Sequence, residues 1–276
     1  MHIFVILNSG TCLAQASVDY TLVDEQGIWV EKFDSTLSNE NKYTANNQVY
    51  KDSIRFIYRY HYISPDGKKY LQKVVPKANK DREKAWKLVP LQEKDSLTND
   101  RLQLVVETDL KGADAQTQGY NHTPIRWEYY APAGQISFLE RSSLVENWKN
   151  IWITPPRARM FRIMALNPFP SIQSPYKIGN SWEWHQEVAG YWGDERWKEW
   201  AGPVMIHYHY TISQEEKISS AMGTLPTLVI QGVASSKLGS TSLKAHYHAK
   251  YGFVKLLFSN IDGSQILLEL IELEVN

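Results

Sequence analysis

Two short segments near the C-terminus each carry two histidines at alternate positions, Ile206-His207-Tyr208-His209-Tyr210 and Ala245-His246-Tyr247-His248-Ala249. Alternate residues on a strand point to one face, so each pair projects both imidazoles the same way. Neutral imidazoles about 2.0–2.1 Å from a shared ion are what a zinc centre requires. A third segment, Trp182-Glu183-Trp184-His185-Gln186-Glu187, sets Glu183, His185 and Glu187 on one face and the two tryptophans on the other. Such a row suits metal ligation or proton transfer. These are the residues with the makings of a metal-dependent hydrolase.

The strands that carry them weaken that reading. Ile206, Tyr208, Tyr210 and Ile212 share the apolar face of the first, leaving His207 and His209 opposite. In the second, Leu243, Ala245, Tyr247 and Ala249 share it, and His246 and His248 lie on the polar side between Lys244 and Lys250. Ammonium groups repel a divalent cation, and the apolar run Leu225–Ala234 intervenes between the two pairs in sequence. The expectation is no metal, no cofactor and no catalytic residue. The chain also lacks a Gly-x-Ser-x-Gly elbow, a His-Glu-x-x-His helix, a dinucleotide-binding turn, a P-loop and a cysteine pair.

The rest of the sequence reads as strands. Ile54, Phe56, Tyr58, Tyr60 and Tyr62 alternate with Arg55, Arg59 and His61, and Ser64-Pro65-Asp66-Gly67 then supplies turn chemistry before a partner at Lys69–Val75. Phe253–Asn260 and Gln265–Ile271 flank an Asp-Gly, a strong hairpin signal. Val18–Val23 turns at Gln26-Gly27 into Ile28–Phe33, and further strands are expected at Arg101–Glu107, Ile125–Tyr130 and Ser181–Val188. Short helices are expected at Asp81–Leu88 and Ser142–Trp148, and a long loop at 110–123. The fold class is mainly β: a large curved antiparallel sheet or half-open barrel with few short helices. One domain spans 15–276, with a sub-boundary near 140 as the alternative.

Thirty acidic and thirty basic residues cancel, so no global field favours nucleic acid, and no nucleic-acid function is read. No apolar run reaches the roughly 18 residues that span a bilayer as a helix. Residues 1–14, with the short apolar run Ile3–Leu7 and small residues up to Cys12-Leu13-Ala14, read as the remnant of a secretory signal. The expected location is therefore the periplasm or cell envelope.

Seven of the ten tryptophans and five of the twelve prolines lie in the span from Trp148 to Trp200. The apolar stretch Met160–Phe169 reads either as a flexible hydrophobic lip or as buried core. The blocks Val145–Arg157, Leu166–Pro170, Ser181–Trp184, Gly239–Leu243 and Tyr251–Leu256 resemble uncharacterised exported proteins of Gram-negative bacteria. The C-terminal half is more distantly similar to a domain-of-unknown-function family with the curved sheet of periplasmic lipoprotein carriers. The resemblance implies a fold and a location but supplies no catalytic residues. Together with the one-sided aromatics it leads to a non-enzymatic protein binding an apolar small molecule or lipid, lined by Phe56, Tyr58, Tyr60, Trp182, Trp184, Tyr208 and Tyr210. The alternatives are the hydrolase above and an envelope scaffold presenting Met160–Phe169 to a partner.

Overall fold

A computed structural model describes residues 21–32, 47–52, 54–75, 85–107, 122–132 and 134–275. The expected signal at 1–14 and residues 110–121 of the loop expected at 110–123 lie outside them, and Thr123 already belongs to a strand. A first hairpin pairs β1 (Leu22–Glu25) with β2 (Ile28–Glu31). The main sheet uses β3 (Ile54–Ile63), β4 (Lys69–Val74), β5 (Trp86–Pro90), β6 (Arg101–Val106), β7 (Thr123–Tyr130), β8 (Ile136–Glu146) and β9 (Asn150–Ile153). It continues with β10 (Ser171–Gln173), β11 (Ser181–Val188), β12 (Val204–Ser220), β13 (Gly223–Ser236), β14 (Gly239–His248), β15 (Gly252–Ser259) and β16 (Gln265–Val275).

Hydrogen bonding orders these as β10-β9-β8-β7-β6-β3-β16-β15-β14-β13-β12-β11, every pair antiparallel, with β4 and β5 branching from β3. The result is a nearly closed, barrel-like sheet. Alternation decides which face is buried. Along β12, Val204, Ile206, Tyr208, Tyr210 and Ile212 are buried while Met205, His207 and His209 are exposed. The β3 face reads the same way through Phe56, Tyr58 and Tyr60.

Two expected helices are corrected. Ser142–Glu146 belongs to β8, where Ser142 to Leu144 pair with Ile125 to Thr123 of β7 and Leu144, Val145 and Glu146 are buried. In Asp81–Leu88, residues 81–84 lie outside the described residues and Trp86–Leu88 begin β5. The stretch Met160–Phe169 is mostly a 3-10 segment, Arg159–Leu166, with all but Arg162 buried. Phe161 packs between Tyr60 (5.1 Å) and Tyr129 (5.6 Å), and Phe169 contacts Trp152, Trp184 and Tyr208. This segment fills the space the sheet encloses.

The β1–β2 hairpin bridges the sheet ends β10 and β11. Its turn is Gln26 (φ 57°) and Gly27 (φ 101°), with the Gly27 N–H donating to Asp24 Oδ1. The Gly27 carbonyl accepts from Gln173 Nε2 of β10 at 2.7 Å, and its Cα lies against the Glu183–Trp184 backbone of β11. Trp29 of β2 is held through its N–H by Asn150 Oδ1 and through its carbonyl by Asn147 Nδ2, both at 2.8 Å.

Candidate functional site

The seven aromatics expected to meet a ligand are all buried core residues. Register brings Trp182 opposite Tyr210 and Trp184 opposite Tyr208, and both pairs stack, with centroids 5.3 and 4.3 Å apart. Their polar tips are satisfied inside the fold. Trp184 Nε1 donates to Tyr210 Oη, which donates to the Phe169 carbonyl; Gln186 Nε2 donates to Tyr208 Oη; Trp182 Nε1 donates to Ser171 Oγ. Tyr58 donates to the Phe253 carbonyl and Tyr60 to that of Asn99. Burial raises the hydroxyl pKa of Tyr58, Tyr60, Tyr208 and Tyr210 well above the usual value. A ligand touching these rings would have to displace Phe161 or Phe169.

Open space lies farther along the same concave face. A groove of about 550 Å³ is lined by Tyr176, Pro226, Leu228, Tyr247 and Ala249, with Glu215, Glu216 and Lys217 at its polar side. It arises because β12 and β13 extend beyond the core as a long arm. A bulge between Ile212 and Gln214 re-phases β12, setting Glu215 opposite Leu228, while Leu228 lies opposite Tyr247 of β14. Tyr176 stands edge-on to Tyr247 at 5.7 Å. Tyr247 in turn packs on Phe253 at 5.5 Å, whose backbone is gripped by the Tyr50 and Tyr58 hydroxyls. The floor is therefore rigid. Burial pushes the Tyr176 hydroxyl up to about 12. Lys244, 3.2 Å from Glu216, holds that carboxyl below its ordinary range.

The four histidines of the two pairs do not converge, because β13 lies between β12 and β14. His246 is buried rather than solvent-facing: it sits under the β13 arm with Nδ1 3.2 Å from Thr227 Oγ1. Burial first, then Lys244, lowers its pKa; burial and Lys250 do the same for half-buried His248. β12 instead pairs with β11, so His207 lies opposite His185, and His209 opposite Glu183, whose Oε1 is 3.0 Å from His209 Nδ1. Glu187 faces Met205 on the same outer surface. Among the described residues no three His, Cys, Asp or Glu side chains converge to hold a metal ion.

Two inward-facing carboxylates of β8, Glu140 and Glu146, escaped the sequence reading. Glu146 accepts the backbone N–H groups of Gln48 (2.9 Å), Val49 and Tyr50 (2.8 Å each). Glu140 accepts Tyr129 Oη at 2.6 Å and the Arg157 N–H at 2.8 Å. Each fastens an irregular segment to the sheet. Desolvation raises both, Glu140 to about 7.

The raised Glu140 pKa has a signed consequence. Below its ordinary value of 4.5 the carboxyl is protonated whether folded or unfolded. Between 4.5 and about 7 the unfolded chain ionises first, so stability falls as pH rises, by about 3 kcal/mol in all. Glu140→Gln abolishes this slope. Urea melts at pH 5 and pH 8 should show the variant gaining on wild type by that amount; a difference independent of pH would refute the assignment. The lowered histidines titrate identically in both proteins and cancel.

Two solved structures match weakly, each over 82% of this chain and 97% of its own. One is a provisionally assigned lipoprotein of Parabacteroides distasonis ATCC 8503, with TM-score 0.46 and 10% identity. The other is a provisionally assigned exported protein with a YmcC-like fold from Bacteroides fragilis NCTC 9343, with TM-score 0.38 and 8% identity. No protein-family model matches the chain, and no curated protein does.

Proposed function

We propose that this protein is a non-catalytic binding protein of the cell envelope that holds an apolar or amphipathic small molecule, such as a lipid, in the groove between Tyr176 and the β12–β14 arm. The observation that carries the reading is the groove itself: about 550 Å³, with two tyrosines, a leucine and a proline on a rigid floor and charges along one side. Clefts of this size with mostly apolar walls and few polar groups suit small ligands. Glu215 and Lys217 lie where a polar head would emerge. The aromatics Phe56, Tyr58, Tyr60, Trp182, Trp184, Tyr208 and Tyr210 are buried core rather than groove wall, and Tyr58 reaches the groove's floor through the Phe253 carbonyl. Binding rather than catalysis is favoured because the two carboxylates with raised pKa, Glu140 and Glu146, are occupied with backbone N–H groups and a tyrosine. Placement in the envelope rests on the signal-like residues 1–14.

Mass spectrometry of organic extracts from purified protein tests the binding. An apolar species should co-purify, and Leu228→Trp, which fills the groove from a half-buried position, should reduce it by about tenfold or more, equivalent to at least 1.4 kcal/mol of binding. Extracts that are empty, or unchanged by Leu228→Trp, would overturn the proposal. N-terminal sequencing of protein recovered from the envelope fraction tests the location separately.

A further inference from the structure

The outer surface of β11 and β12 gathers what the sequence kept apart. Three alternate rungs of the ladder, which share its outer face, are Glu187 with Met205, His185 with His207, and Glu183 with His209. All six side chains belong to exposed residues, Met205 at 43%. The His185 and His207 rings stand 6.0 Å apart, centroid to centroid, with 31° between their planes. Two imidazoles sharing an ion at about 2.0 Å per bond place their centroids about 5–6.5 Å apart, so this spacing needs no backbone movement.

We propose that His185, His207 and Met205 form a surface site for a soft transition-metal ion, copper(I). A thioether beside two imidazoles is a donor set that favours copper over the harder divalent ions. Met205 is two residues from His207 on one strand and diagonal to His185 across the ladder. Three rotatable bonds let its sulfur reach the ion. The electrostatic setting differs from that of the other histidine pair. His246 is flanked by Lys244 and opposite Lys255, whereas the residues in register around His185 and His207 are Glu183, Glu187, Met205, His209, Val233 and Ser235. Two carboxylates and no ammonium lie on these rungs. Glu183 is already engaged by His209, with its Oε1 3.0 Å from His209 Nδ1, which leaves His185 and His207 as the imidazoles offered to the ion. The site is on the opposite face of the sheet from the apolar groove and is independent of it.

The test is anaerobic competition for copper(I) against the chromophoric chelator bicinchoninate, using the full chain with Cys12→Ser so that the single thiol does not compete. One equivalent of copper should transfer to the protein. His185→Ala and His207→Ala should each weaken binding by about 100-fold, Met205→Leu by about 10-fold, and His248→Ala not at all. All these side chains are exposed or half-buried, and circular dichroism checks that the variants fold. Failure to withdraw copper, or full retention by the His185→Ala/His207→Ala double variant, would overturn the site. An unchanged affinity in Met205→Leu, or zinc bound as tightly as copper, would overturn the assignment to copper(I).

Discussion

Glu146→Ala is expected to lower the unfolding free energy by about 3–6 kcal/mol, enough to leave a protein of ordinary stability partly unfolded at room temperature. The carboxylate accepts three consecutive N–H groups, those of Gln48, Val49 and Tyr50. Its removal strands the two buried donors of Val49 and Tyr50 at about 1–3 kcal/mol each. The loss then spreads, because Tyr50 is fully buried and its hydroxyl accepts the Phe253 N–H while its ring packs on Phe56 at 4.7 Å. Glu146→Gln keeps one acceptor oxygen and should recover about half of the loss. Urea denaturation provides the measurement. A shift below about 1 kcal/mol for the alanine variant would show that water replaces the carboxylate and that the segment is not fastened through it.

Gly27→Ala is the second large effect, about 3 kcal/mol or more. The residue combines two demands. Its φ of 101° lies where side chains are strained, and an added methyl would strike the Glu183 carbonyl oxygen and sit 2.8 Å from Trp184 Cβ and 2.9 Å from its Cα. Backbone cannot move aside as a flexible side chain can, so the hairpin must lift from β11 and lose the Gln173 and Asn150 contacts. Gly67→Ala separates the two demands. Gly67 has φ of 82° but nothing within 4 Å of its added methyl, so its cost is the backbone strain alone, about 1–2 kcal/mol. Hydrogen exchange should show residues 21–32 opening in Gly27→Ala and unchanged in Gly67→Ala. Equal effects of the two substitutions would deny that the hairpin is wedged against β11.

Where alternation was regular, the sequence could be read to the residue. The inward sets of β3, β11 and β12 and the hairpin joining β15 to β16 were all legible, since one buried face imposes a period of two. Three features were not. β8 carries Glu140 and Glu146 on its inward face, and a carboxylate there reads as an outward residue until the N–H groups it accepts, up to 98 positions away, are known. The groove depends on a bulge at Ser213, which no local signal marks. The His185–His207 rung depends on the register of two strands separated by an irregular connection rich in tryptophan and glycine. Each residue type was visible; the pairing was not.

The order of the sheet also bears on how the chain can be handled while it is being made. β16 emerges after every other described strand, yet it lies between β3 and β15, with residues such as Val275 and Ile54 paired across more than two hundred positions. Until it arrives, β3 and β15 each present an unpaired edge, so the two halves cannot be joined early in synthesis. Long-range pairing of this kind is slow. A polypeptide that cannot complete its sheet before release stays extended longer, a state well suited to threading through a narrow channel and hazardous if it lingers beside its own kind.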